Sequence, residues 1–287
     1  MSVQITEAFV QQYKTNVYIL SQQRKSRARE WVREESLTGK AHFFERVAAT
    51  TAYSATSRHA DTQYVDTPHS RRRVSPVTKR WADLIDTPDK VRTLIDPKSI
   101  YAENGAYAMN RAIDDIILAA ANGNAYSGED GSTVVALPAG QKIAVGTTNL
   151  TLAKALAAKE TLDLADVDPD EPKVMVVSPN QITAMLNTTE VKSADYNTVK
   201  ALAKGEIDTF LGFRWVVSNR LTKTGNVRYC LCWAKRGMGL AIAEDIVTKI
   251  DELPTKNYSV QVFLEMDMGA TRIEDECMVE IACDETA

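Results

Sequence analysis

Histidine is almost missing from this 287-residue chain, which holds only His42, His59 and His69. All three fall in the first quarter, in the expected arm and hairpin rather than on the body where a general base would be held in place by neighbours. Gly-x-Ser-x-Gly, a Walker loop, His-Glu-x-x-His and Cys-x-x-Cys are also absent, and with them the common hydrolase, nucleotide and redox motifs. The chain is therefore expected to be no enzyme, with no catalytic residue, cofactor or metal. Long apolar runs are missing too. None is longer than 116–121, between Asp115 and Asn122, far short of the roughly 20 residues a bilayer crossing needs. Met1-Ser2-Val3-Gln4 lacks the charged-then-apolar layout of a signal peptide. No membrane partner is expected, and the product reads as cytosolic.

Cysteine is sparse: Cys230, Cys232, Cys277 and Cys283. A four-thiolate zinc site is one reading. Yet both pairs lie in strand-like runs, 227–233 and 276–283, and zinc knuckles use two- to four-residue spacers. Core filling is the plainer reading, and a disulfide does not suit a reducing cytosol.

What the chain does have is charge sorted along its length. Residues 1–80 hold 14 Lys and Arg against 7 Asp and Glu, a balance of +7, while the remainder stands at −11. Within the basic part, 50–80 is mostly Ser, Thr, Arg and Asp, too polar to bury a core of its own. A long exposed hairpin is expected there. One arm runs near 53–65, the turn is at Asp66-Thr67-Pro68-His69-Ser70, and the other arm is 74–81. Such a hairpin needs a surface to lie on, and residues 251–287 offer 10 acidic against 2 basic groups. Before it, Phe9, Tyr13, Val17 and Leu20 recur at helical spacing. Trp31, Phe43 and Phe44 stand among Arg24, Lys25, Arg27, Arg29 and Arg33, a mixture that suits either docking on another subunit or nucleic acid.

After residue 96 the core-forming pattern begins. A helix is expected over 100–122, with Ser99 as N-cap, Gly123 as stop and a stripe of Met109, Ala112, Ile113, Ile116, Ile117 and Ala120. Asn110, Arg111, Asp114 and Asp115 are placed facing away, the two aspartates as an exposed face or intersubunit salt bridge. A strand over 141–145 and a helix over 151–164 follow, then the acidic breaker 166–172. From Lys173 come a buried strand 174–177, helix 181–186, a helix or turn at 195–204, and strands 213–217, 227–233 and 237–243. Two long strands, 258–268 and 270–282, are expected to join near Gly269. No repeat of 20–50 residues is evident.

This order resembles a tailed-bacteriophage major capsid protein of the Hong Kong 97-type fold. The motifs that carry it are Asp83-Leu84-Ile85-Asp86 through Leu94-Ile95-Asp96-Pro97 leading into the long helix, and Val174-Met175-Val176-Val177-Ser178-Pro179. Gly205-Glu206-Ile207, Leu211-Gly212-Phe213 with Val216-Val217-Ser218, Met268-Gly269-Ala270-Thr271-Arg272 and Met278-Val279-Glu280-Ile281 complete the set.

The resemblance implies an α+β chain with an N-terminal arm (1–49), an extended E-loop hairpin (50–83) and a peripheral domain with its spine helix (84–172). An axial domain (173–244) and return strands of the peripheral domain (245–287) complete it. It further implies self-assembly into hexamers and pentamers of an icosahedral head, built in the host cytoplasm around double-stranded DNA without sequence specificity. Scaffolding, portal and decoration proteins are the implied partners. The scaffold is expected as a separate protein, because no leading segment of about a hundred residues precedes the arm. An encapsulin-like compartment shell is the alternative. Arg71, Arg72, Arg73, Lys79, Arg80, Trp31, Phe43 and Phe44 are the expected intersubunit contacts. The family's Lys–Asn crosslink is not expected, since 67–73 contains no Lys.

Overall fold

The computed structural model describes residues 20–54, 57–58, 61–85, 97–187 and 209–286. The expected arm helix ahead of Leu20, the motif residues 86–96 and 205–207, and the expected helix at 195–204 lie outside the described residues. Three helices are described: α1 (Pro97–Asn122), α2 (Leu152–Leu164) and α3 (Pro179–Asn187). The strands begin with β1 (Arg33–Ser36), β2 (His42–Val47), β3 (His69–Val74), β4 (Val77–Ile85), β5 (Ala125–Ser127), β6 (Thr133–Val135) and β7 (Lys142–Ile143). They continue as β8 (Lys173–Val177), β9 (Thr209–Phe210), β10 (Phe213–Val217), β11 (Lys223–Thr224), β12 (Val227–Ala234), β13 (Met238–Leu253), β14 (Ser259–Arg272) and β15 (Met278–Asp284).

The chain forms two units, each assembled from three segments. The smaller comprises Met1–Ser26, Thr78–Ala112 and Glu244–Asp267. In it β13, β14 and β4 are neighbours in that order. Val260, Val262, Leu264 and Met266 of β14 are buried, as period-two alternation requires of a sheet covered on one side. Helix α1 comes so near at Gly105 that an added Cβ would sit 2.6 Å from Trp81 and 2.7 Å from Leu264. Residues 20–26 run beside the same helix. Gln22 donates to Asn104 at 2.7 Å, Asn110 donates to the Arg24 carbonyl at 3.2 Å, and Arg111 donates to Gln22 at 2.6 Å.

The larger unit comprises Arg27–Val77, Ile113–Ala243 and Met268–Ala287. Its main layer is a sheet in the order β7-β15-β12-β8-β10-β9, with β11 attached to β12. β8 and β10 are parallel, whereas β12 runs antiparallel to both β8 and β15. The run Lys173-Val174-Met175-Val176-Val177 is buried throughout, which is why it reads as continuous rather than alternating. Thr151 caps α2, its side chain accepting from Lys154 N–H at 3.3 Å. The buried Lys154 ammonium then donates to the carbonyls of Val145 (2.8 Å), Thr148 (2.7 Å) and Ala282 (2.9 Å), tying α2 to β15. Three carbonyls offset the cost of burying that charge.

A second sheet in this unit has the order β2-β3-β5-β6 and is antiparallel throughout. β1 adds in parallel to the start of β13, Arg33 opposite Gly239.

Several expectations are corrected here. Helix α1 begins at Pro97, so Ser99 lies inside its first turn; proline suits a first helical position because its missing N–H has no partner there anyway. The hairpin pairs β2 with β3, not 53–65 with 74–81, and His69 and Ser70 belong to a strand rather than to its turn. Asp114 is buried, with its carboxylate accepting from the backbone N–H groups of Arg27 and Ala28 at 3.0 Å, so it does not face away. Asp115 is paired with Arg220 of its own chain. The strand foreseen over 141–145 shrinks to two residues, and 237–243 is the start of the 16-residue β13.

Gly269 is no turn. β14 runs straight through it for 14 residues, and β15 pairs with β12 instead. The glycine is needed because an added Cβ would stand 2.5 Å from the Ser75 carbonyl oxygen. Backbone cannot yield as a side-chain tip can, so Gly269→Ala is expected to destabilise the subunit by about 1–3 kcal/mol, read as a lower urea midpoint with unchanged slope.

Candidate assembly surfaces

Arg71, Arg72 and Arg73 are consecutive in β3, and a strand sends neighbours to opposite faces. The register places Phe44 opposite Arg72 and Phe43 opposite Arg73. One face of the sheet thus carries Phe44, Arg72 and Val74, all buried, and the other carries Phe43, Arg71 and Arg73.

The inward arginine enters a charge cluster. Arg72 pairs with Asp275 through Nη2, and its Nε donates to the Ile273 carbonyl at 3.4 Å. Arg46 Nη1 donates to the same carbonyl at 2.8 Å. Asp275 also accepts from Arg272 Nε at 3.0 Å. Arg272 is fully buried and spends its remaining donors on the carbonyls of Ala121, Gly123 and Val135. A guanidinium thereby caps the carbonyl end of α1, where the helix dipole favours positive charge. Arg72 Nη1 is buried without a protein partner. An open cleft of about 820 Å³ beside this cluster is lined by Arg46, Arg72, Asp166, Asp168, Glu274 and Asp275 among others, and none of its lining residues is a histidine.

The other expected contact residues divide similarly. Phe44, only 1% exposed, packs in a cluster with Leu37, Val74, Ala241 and Ile273, so it anchors its own chain and is corrected from an intersubunit contact. Arg72 is corrected for the same reason. Trp31 is half-buried, and its carbonyl accepts from Trp233 Nε1 at 2.8 Å. Phe43 is half-buried beneath Arg71, whose guanidinium lies 5.3 Å from the ring centre. Lys79 is exposed, and Arg80 is bonded to Glu265 at 2.8 Å.

Between β2 and β3 the described residues 48–54, 57–58 and 61–68 are all exposed. Ala48 N–H donates to the Pro68 carbonyl at 3.0 Å, closing the base of this loop, and Gln63 N–H donates to Tyr53 Oη at 3.0 Å. Tyr64 is 92% exposed. The stretch 48–68 contains no Lys either.

All four cysteines are buried. Burial pushes the Cys232 thiol up to about 12, and Cys277 likewise with help from its hydrogen bond to Glu274. Those two thiols are poor nucleophiles, whereas the hydrogen bond with Cys230 lowers Cys283; the burial of all four agrees with core filling. Among the described residues no group of three His, Cys, Asp or Glu converges as a metal site.

A family model described as phage capsid protein matches residues 5–285. The chain belongs to the phage capsid protein family. Solved structures with its fold include the capsid of the cyanophage P-SCSP1u, at 18% identity over 96% of this chain and 93% of that one, TM-score 0.72. Mycobacterium phage Che8 gives 16% identity over 97% and 98%, TM-score 0.70. The capsid of Ralstonia phage GP4 gives 9% over 96% and 94%, TM-score 0.76. No curated protein matches the sequence. The capsid protein is thus a structural subunit of a phage head, the expected α+β capsid fold is the one found, and the encapsulin alternative is not favoured.

One carboxylate secures the end of this capsid protein. Glu285 accepts from Arg228, Lys223 and Gln181, the last at 3.2 Å. Burial pushes its carboxyl up, but these bonds outweigh burial and hold it down at about 2. A carboxyl depressed on folding contributes stability that is complete above its unfolded range and lost as pH falls through the folded one. Thermal stability should therefore drop between about pH 4.5 and pH 2, and Glu285→Gln should flatten that part of the profile. At neutral pH, Asp275→Asn leaves two buried guanidiniums without their shared carboxylate. A loss of about 3–5 kcal/mol is expected, checked by urea denaturation of the soluble subunit.

Proposed function

We propose that the capsid protein is the major subunit of an icosahedral head, assembling as hexamers and pentamers around double-stranded DNA. The observation that carries this reading is the family match over residues 5–285. The exposure of the described residues between 48 and 68 supports it, because a segment without a core gains order only on another surface. In this reading 48–68 with its flanking strands is the E-loop and α1 the spine helix. The seven-position sheet around β8 and β12 holds the axial domain, and the β13–β14 strands belong to the peripheral domain. Arg71, Arg73, Lys79 and Arg80, with Phe43 and Trp31 at the edge, then supply intersubunit contacts.

Each exposed ion pair contributes only about 0–1 kcal/mol. Many copies acting together make a closed shell persist, as linked binding events do generally. A separate scaffolding protein, a portal and a decoration protein are the proposed partners, with assembly in the host cytoplasm. DNA is held without sequence preference.

Negative-stain electron microscopy of the purified chain, alone and with its scaffold, tests this. Closed particles, tubes or capsomer rings are the expected outcome. A dispersed monomer under every condition would defeat the proposal.

A further inference from the structure

We propose that the outward face of the β2-β3-β5-β6 sheet receives the acidic turn 163–171 of a second copy of the chain. The inference rests on the shell reading and names one of its contacts. The register aligns Phe43 with Arg73, Arg73 with Tyr126, and Tyr126 with Val134, a single row across all four strands. Flanking rows add Arg71 opposite Glu45 and His69 opposite Val47. Val47, Tyr126 and Val134 are 61%, 46% and 56% exposed. Apolar and aromatic side chains set among guanidiniums are the composition of a protein-binding face. The exposed valines give such a face apolar area that a phosphate backbone would not use.

The second copy offers a complement. Its 163–171 turn carries Asp163, Asp166, Asp168, Asp170 and Glu171 with no Lys or Arg, and Leu164 beside them is 78% exposed. Asp163 stands in the last turn of α2, which has no basic residue there. Carboxylates at a helix C-terminus oppose the helix dipole, and a docked pair of guanidiniums relieves that opposition. The two surfaces are different patches of one subunit. Contact between them is therefore head to tail, the kind that closes into rings.

Charge reversal tests the pairing. Arg71→Glu with Arg73→Glu, and separately Asp163→Lys with Asp166→Lys, should each lower the yield of assembled particles at least about tenfold. Circular dichroism melts should stay near those of the parent chain. Val134→Asp should do the same without touching any ion pair. Combining the two reversals should restore particles, an outcome that a folding defect cannot produce. Normal assembly of the arginine variant, or no rescue in the combination, would overturn the proposal. So would intact shells that merely retain less DNA, which would make the face a nucleic-acid surface. A parent chain that never assembles, even with its scaffold, would instead bring down the shell reading and this contact with it.

Discussion

Two buried guanidiniums share one carboxylate, and much of the larger unit is organised by that shortage. Arg72 comes from β3, Arg272 from the end of β14, and Asp275 from the link to β15. A buried charge without a partner costs several kcal/mol, so each donor must find an acceptor. Arg272 finds carbonyls at the end of α1 and on β6, while Arg72 and Arg46 reach the Ile273 carbonyl. The carbonyls concerned belong to the helix end, β6 and the β14–β15 link. Replacing any one member loosens all of these at once. A well-packed apolar trio of similar volume would offer comparable stability, but without the directional bonds that specify where the helix ends and how the small sheet lies.

The same cluster sets the orientation of the small sheet. Because Arg72 must point inward, Arg71 and Arg73 must point outward. The two faces of one strand thereby differ, the inner one serving the core and the outer one meeting solvent. The inward contacts are desolvated and worth several kcal/mol, whereas the outward ones are solvated and weak.

Much of this was legible in the sequence where structure is local. The buried run at 173–177, the helix 152–164 with Thr151 at its head, and the strands 213–217 and 227–234 follow from periodicity and capping. The fold family was legible from the order of these elements. What escaped depends on long-range pairing. Nothing near Arg72 says that Asp275, some two hundred residues later, will be its partner, so three arginines in a row read as one solvated patch. Asp114 is buried for backbone N–H groups of a distant segment, which composition cannot reveal. Gly269 carries the usual mark of a turn, yet its role is to admit the Ser75 carbonyl. The placement of 42–47 against 69–74 was missed because the 21 residues between them look as strand-like as the true arm.

Phe44 shows why such errors have a direction. An aromatic residue among basic ones suggests a sticky exterior, and sequence reasoning placed it there with Phe43. In a strand the two cannot share a fate: Phe44 is 1% exposed while Phe43 stays half-buried under Arg71. Burying an aromatic side chain is worth about 1.5–3 kcal/mol, more than any single exposed ion pair on the opposite face. The register of β2 is therefore set by Phe44 and Arg72 from the inside. The arginines on the outer face are those left over once the core has chosen. Alternation in the strand, set by the core, thus determines which charges the capsid subunit leaves on its surface.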